Sequence, residues 1–196
     1  LSYVLGWMCG DGNLSESRNH YVVAVCEKSQ KQLKLVLNPL FQELFNVHAP
    51  IFRKSSNGYI LQVGAKPVFK FFKKVLGFKT GKIPIVIQKA DNINKRYFVS
   101  GFFDAEGHVD VSDPRIVISQ ANLHFLKEIA GLFEEINIHF MGSYFHKNEK
   151  GAWFTIQLRK KPEILKFINN IGSCHVDKRP FLGNRPTGTY CRLVQN

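Results

Sequence analysis

The sequence predicts an α+β protein made of two related halves, each running α-β-β-α-β-β-α and packed together through a duplicated helix. Three observations carry that reading. VLGWMCGDG (4–12) and VSGFFDAEG (99–107) are both apolar stretches with small residues four apart, closing on an acid and a glycine, and the acids Asp11 and Glu106 stand 95 residues apart. Downstream of each copy the same order of elements recurs. The same punctuation, Lys-Pro helix starts and Gly stops, appears at matching places.

Taken in order, each motif copy reads as a short apolar helix. A β-rich run comes next, YVVAVCEKSQ from Tyr21 in one half and RIVISQAN from Arg115 in the other. Amphipathic helices succeed these runs, Gln30 to Phe45 and Asn122 to Ile136; Asn122 suits an N-cap, and Pro39 should kink the first helix. Two strands with a glycine turn then form a hairpin in each half, at Asn57-Gly58 and Lys150-Gly151. The third helix opens at Lys66-Pro67 or Lys161-Pro162 and closes at Gly77 or Gly172. Polar residues Gln88 to Lys95 suggest a connection, which divides the chain into an N-terminal half (1–90), a linker (91–97) and a C-terminal half (98–196).

Within each motif, Gly6 and Gly10, or Gly101 and Ala105, fall on one helical face. Small faces let two backbones approach closely, so the motif helices are expected side by side, with Asp11 and Glu106 at the same end. Gly12 and Gly107 suit the C′ position, which makes that end the C-terminus of both helices. The helix dipole disfavours a carboxylate there by about 0.3–1 kcal/mol, so something should compensate. Two converging acids in a basic chain point to divalent metal, with magnesium favoured by hard oxygen ligands. Such ions activate water and stabilise the leaving oxygen of a phosphodiester.

The charge balance agrees. Lys and Arg number 27 against 15 Asp and Glu, a net +12, and the obvious polyanionic partner is nucleic acid. Residues 1–98 carry 15 basic and 5 acidic side chains and residues 99–196 carry 12 and 10, so the N-terminal half should grip phosphates harder. No run of 18 apolar residues or juxtamembrane basic cluster exists, which argues against a membrane partner. Residue 1 is Leu, so a trimmed N-terminus is expected. Cys9, Cys26, Cys174 and Cys191 show no zinc spacing and are expected as mostly buried thiols. GFKTGKI (77–83) is one residue short of a P-loop and has Ile83 where Ser or Thr should stand. The Phe-rich segment 68–78 reads as core because its aromatics follow one helical face.

These residues resemble the LAGLIDADG homing endonucleases, particularly the single-chain, two-motif members encoded in archaeal introns: VSGFFDAEG aligns with the nine-residue family motif, and VLGWMCGDG keeps its Gly, final acid and closing Gly. The resemblance implies a pseudo-twofold fold with two saddle-shaped antiparallel sheets in the DNA major groove. It also implies a monomer with no obligate protein partner, acting inside the cell in the cytoplasm or an organelle, or at the nucleoid if archaeal. The implied reaction is Mg2+-dependent cleavage of both strands of a long asymmetric site, leaving 3′ overhangs, with two or three divalent ions at the motif-helix junction. Asp11 and Glu106 would be the metal ligands, with Gly10 and Ala105 beside them. Asp104, whose counterpart in the first half is Cys9, would be structural. Catalytic support would come from Gln120, Lys79, Lys82 and Lys178, with Glu27, Lys28 and His175 at neighbouring family positions. Alternate strand residues share a face, so the base- and phosphate-contact candidates are Arg18, Lys28, Arg53, Lys54, Asn57, Gln62, Arg115, Gln120, His146, Lys147, Asn148, Gln157 and Arg159. The alternatives are an RNA maturase that assists splicing of its host intron RNA without cutting DNA, and a DNA-binding regulator. An intein-embedded nuclease is less expected, since no flanking splicing segments are visible.

Overall fold

A computed structural model describes residues 1–54, 58–77, 81–149 and 151–182. At its centre are two helices, α1 (Ser2–Gly10) and α6 (Asn92–Glu106). In α1, Tyr3, Val4, Leu5, Gly6, Trp7, Met8 and Gly10 are all buried, so this helix has no wet face and must lie inside the molecule. The helices approach to backbone contact. A Cβ on Gly6 would stand 2.0 Å from the Phe98 carbonyl oxygen, one on Gly101 would stand 2.0 Å from the Tyr3 carbonyl oxygen, and one on Gly10 would reach Ala105 Cβ at 2.6 Å. The small-residue face therefore does what its spacing implies.

Each central helix feeds a four-stranded antiparallel sheet. The first comprises β1 (Gly12–Ser17), β2 (His20–Glu27), β3 (Ile51–Lys54) and β4 (Gly58–Val63), in the order β1-β2-β4-β3. The second comprises β5 (Gly107–Asp110), β6 (Arg115–Gln120), β7 (Met141–Asn148) and β8 (Gly151–Leu158), in the order β5-β6-β8-β7. The matching orders confirm the internal duplication. One face of each sheet is apolar and covered: Leu14, Val23, Val25, Leu61 and Val63 in the first, Ile116, Ile118, Ile156 and Leu158 in the second. Helices α4 (Lys66–Leu76), α7 (Leu123–Glu135) and α8 (Lys161–Asn170) supply the opposing side chains, including Phe69, Phe72, Phe133 and Phe167. Val68, Phe69, Phe72 and Leu76 are all buried, so the Phe-rich segment is core as its periodicity implies. No described helix is long and apolar enough to cross a membrane.

Local signals behave as their chemistry predicts. Asn122 caps α7, its side chain accepting from the Phe125 N–H at 3.1 Å. Gly77 ends α4 in the left-handed region at φ 53°. The helix expected over 30–45 is interrupted: α2 (Gln30–Gln32) passes into a π turn at Leu33–Leu37 before α3 (Asn38–Phe45) resumes with Pro39 in its first turn. Proline cannot donate to the preceding turn, and the widened turn absorbs the defect.

Three expectations need correction. Residues 92–97, read as linker, are the first turns of α6, and the connection between the halves is instead the short helix α5 (Ile85–Gln88) and the few residues after it. Asp91 caps α6 by accepting from the Asn94 N–H at 2.8 Å, and the polar composition reflects an exposed helix end. Gly12 and Gly107 are not left-handed C′ residues, since Gly107 is extended at φ −93° and both open a strand. They are glycine for lack of room, because a Cβ would meet the Met8 carbonyl oxygen at 2.5 Å or the Phe103 ring at 2.1 Å. Cys9 and Cys26 are half-buried thiols, but Cys174 is disulfide-bonded. Cys191, together with the site candidates Asn57 and Lys79 and the turn residue Lys150, lies outside the described residues.

Candidate active site and nucleic-acid face

Side-by-side packing of α1 and α6 puts Asp11, the residue closing α1, and Glu106, the last of α6, at one junction. Gly10 lies directly against Glu106, since a Cβ there would touch Glu106 Cγ at 2.9 Å. Two hollows open on the two sides of this junction. The larger, about 560 Å³, is lined by Asp11, Ala105, Glu27, Lys28, Lys54, His175 and Lys178. The smaller is lined by Glu106, Gly10, Lys82, Gln120 and Asn122. Each hollow thus holds one of the two helix-end acids, the residue that precedes the acid in the other motif and at least one lysine, and Asp104 also lines the larger. The four residues assigned to the metal set divide between them as two pairs.

The lysines are held differently. Lys178 Nζ donates to the carbonyl oxygens of Phe103 at 3.1 Å and Asp104 at 2.6 Å, closing the C-terminus of α6. Burial lowers its pKa, opposed by the surrounding carboxylates Asp104, Glu27, Asp11 and Glu106. Those four acids are what keep an ammonium tenable in so dry a place. Lys82 is exposed at the other hollow. Gln120 Nε2 donates to Glu106 Oε1 at 3.3 Å, which places this residue beside the acid as expected.

Glu27 lines the larger hollow, and the fold explains what it does. Burial pushes its carboxyl up, but hydrogen bonds from His175 and from the Ser29 N–H at 2.9 Å outweigh that and hold its pKa below the ordinary value. His175 Nδ1 accepts from the Asp177 N–H at 3.1 Å, so Nε2 faces Glu27 Oε2 at 3.5 Å while the ring stacks on Trp7 at 6.0 Å. Asp104 is fully buried and structural: it accepts from Tyr3 Oη at 2.8 Å, from the Cys174 N–H at 2.9 Å and from Ser173 Oγ. Desolvation raises its pKa despite Lys178, Ser173, His175 and Tyr3. Sequence reasoning missed Tyr3, Ser173 and the Gln32 side chain, whose Oε1 accepts from the Val176 N–H at 3.0 Å. These bonds span 69 to 144 residues, and no local pattern could announce them.

The sheet registers sort the DNA-contact candidates. In the second sheet Arg115, His146, Asn148 and Gln157 share the face opposite the core, with Tyr144 and Trp153, and Arg159 continues that alternation beyond β8. His146 stacks on Trp153 and lies 3.0 Å from Thr155 Oγ1. Lys147 and Gln120 point to the other side. Arg115 is committed to Asp110 at 2.8 Å and Asp113 at 3.4 Å; Arg159 binds Asp113 at 3.4 Å and Gln157 Oε1 at 3.0 Å. In the first sheet Lys54 and Gln62 occupy the open face, and Arg53, although exposed, belongs to the opposite one. Arg18 sits at the β1–β2 turn with Asn19, both in the left-handed region, and Lys28 comes directly after β2 as an exposed rim residue.

Residues 94–172 match the family model of the LAGLIDADG-like domain. The C-terminal half therefore carries a LAGLIDADG-like domain. It is 26% identical over 192 residues to the homing endonuclease I-DmoI of Desulfurococcus mucosus, covering 91% of this chain and 90% of that protein. A structure of I-DmoI with DNA and Mn superposes with a TM-score of 0.67 at 21% identity, covering 87% of this chain and 94% of the other. I-DmoI has also been solved with DNA and Ca. The chain is likewise similar to the glutamine–fructose-6-phosphate aminotransferase of Methanocaldococcus jannaschii, at 27% identity over 204 residues. That match takes in 99% of this chain but spans only 18% of the aminotransferase. The single-chain, two-domain layout is therefore shared with I-DmoI in sequence extent and in fold.

Proposed function

We propose that this protein is a site-specific endonuclease that hydrolyses both strands of a long, asymmetric DNA duplex and uses divalent metal, Mg2+ in the cell. The observation that carries it is the convergence of Asp11 and Glu106 at the ends of two helices in backbone contact, each acid in a hollow with a lysine. The donor set fits the metal. Carboxylates and helix-closing carbonyls are hard oxygen ligands, and a helix directs its last carbonyls off the end where the acids stand.

Asp11 and Glu106 would hold two or three ions, with Gly10 and Ala105 contributing at the paired positions. Bound there, such ions lower the pKa of a water and polarise the phosphodiester. Lys178, tied to α6 by two carbonyls, presents a fixed positive charge to the charge that develops on phosphorus-bound oxygen. Lys82 and Gln120 serve the opposite strand, Gln120 by orienting the Glu106 carboxylate through its amide. Glu27, His175 and Trp7 fix the wall of the Asp11 hollow. The exposed sheet faces, with Lys28 and Lys54 on the first, lie along the major groove as a monomer would place them, and cleavage leaves 3′ overhangs. Such an enzyme works inside the cell, where its duplex is.

A cleavage selection tests this. A randomised duplex library is incubated with magnesium and either the protein or its Asp11→Asn, Glu106→Gln double variant, and new ends are ligated and sequenced. Ends produced only by the parent protein, with one consensus and a constant 3′ overhang, are expected. Folded protein that binds duplex yet yields no ends from a well-sampled library would refute the cutting role. A preference for structured intron RNA unaffected by Asp11→Asn would then favour the maturase role.

A further inference from the structure

The two open sheet faces differ in chemistry. On the second, Tyr144, His146, Thr155, Trp153 and Gln157 offer hydrogen-bonding groups to whatever lies across them. On the first, the cross-strand row Cys26–Ile60–Phe52 is apolar and Val22 stands further along β2, with Asn13, Ser15, Gln62 and Lys54 as polar members of the same face. Phe52 is 49% exposed, although the register places it on a two-sided strand pair whose other face already meets the core. A shallow groove beside it is walled by Val22, Val47, Pro50 and Val63, with His48 and Gln62 as its polar members. An apolar face of this kind asks for an apolar partner.

Its surroundings restrict that partner. Lys54 stands on the same face with its Nζ 3.8 Å from Cys26 Sγ, and exposed Lys28 and Arg18 lie at the ends of β2, within a half that carries 15 basic and 5 acidic side chains. The occupant must be strongly anionic at its edges and apolar at its centre. A duplex major groove meets both demands only where its floor carries thymine C5-methyl groups, the one apolar substituent a base pair presents there. We infer that the N-terminal sheet reads thymine methyls through Phe52, Ile60 and Val22, so that one half of the target is specified in part by 5-methyl contacts that the other half does not make. This rests on the endonuclease reading and deepens it by naming what the half-site must contain.

The test uses the site recovered by the selection, synthesised with deoxyuridine replacing thymine on both strands of one half, then of the other, which removes methyls and leaves every hydrogen-bonding group in place. Binding is measured in calcium and cleavage in magnesium. Burying one methyl is worth about a fourfold change in Kd, so two or three contacts predict a loss of roughly 15- to 60-fold confined to one half-site. With Phe52→Ser, Ile60→Ser protein, the thymine and deoxyuridine duplexes should bind alike. Equal binding and cleavage of both substituted duplexes by the unaltered protein would overturn the inference while leaving the endonuclease standing, and that comparison needs no variant to fold. An equal loss in both halves would also overturn it. Absence of any specific duplex binding would instead remove the endonuclease reading, and this inference with it.

Discussion

Replacing Gly6 with alanine should damage the molecule more than a single methyl usually does. The added Cβ would lie 2.0 Å from the Phe98 carbonyl oxygen and 2.8 Å from the Phe102 nitrogen. Ordinary contact needs about 3.5 Å, so the helices must part by roughly 1.5 Å at this point. Both obstacles are backbone, and neither can rotate away. Overpacking costs about 1–3 kcal/mol, and an immovable neighbour puts Gly6→Ala at the upper end. For a chain of this size each kcal/mol lowers Tm by about 2–4 °C, so a fall of roughly 6–12 °C is expected by calorimetry. Gly101→Ala meets the Tyr3 carbonyl oxygen at the same distance and should cost as much. The pair should be clearly sub-additive, because one separation of the helices relieves both clashes. A Tm within about 2 °C of the parent for either single variant, or strict additivity in the double, would refute the backbone-contact account.

Other expectations come from the same geometry. Gly131 lies inside α7 with nothing within 4 Å of an added methyl, so Gly131→Ala should stabilise the fold by about 0.5–1 kcal/mol in urea titration. Asp104→Ala leaves the Tyr3 and Ser173 hydroxyls buried without their acceptor and Lys178 without its counter-charge, and should cost about 3–5 kcal/mol. Two carboxyls should titrate in opposite directions by carboxyl NMR. Asp110 is held down to about 2 by Ser112, the Asp113 N–H and Arg115, so it favours the native state above its unfolded pKa of 3.8 and that support is lost as pH falls toward 2. Asp104 is raised by burial, so its effect has the opposite sign: it is most compatible with the fold when protonated and opposes it as pH rises through its folded pKa. Asp113→Ala removes the ion-pair partner of Arg159, while Arg115 keeps Asp110, and should steepen the salt dependence of duplex binding by roughly one unit of slope if Arg159 recruits a phosphate.

Much of this architecture is legible in the sequence because the duplication exposes it. The spacing of Gly6, Gly10, Gly101 and Ala105 foretells the helix contact, the Lys-Pro and Gly signals bracket α4 and α8, and Asn122 caps α7. Failures arise where sterics or distance decide. Gly12 and Gly107 look like helix caps, yet they are required by the Met8 carbonyl and the Phe103 ring, which only the folded chain brings near. Polar residues 92–95 look like linker because an exposed helix end and a linker share composition, and only the Asp91 cap tells them apart. At the site, repeat position alone foretells Asp11 and Glu106 at the junction, and Gln120, Lys82 and Lys178, expected from the family resemblance, line the same two hollows. The partners of Asp104 and the His175–Glu27 contact are not foretold, since they join residues distant in the chain and unlike between the halves. Strand alternation places Arg53 and Lys147 away from the open faces, and the acidic partners of Arg115 and Arg159 read in the sequence only as turn residues.

The most direct measurement is single-turnover cleavage of the selected duplex, with each strand labelled separately, by the parent protein and by Asp11→Asn and Glu106→Gln singly, under conditions where all three bind the duplex with equal affinity. Magnesium should restore cutting of both strands only to the parent protein, and each variant should lose at least one strand by about 100-fold or more. Cleavage of both strands at the parent rate by either variant would contradict the two-acid metal site.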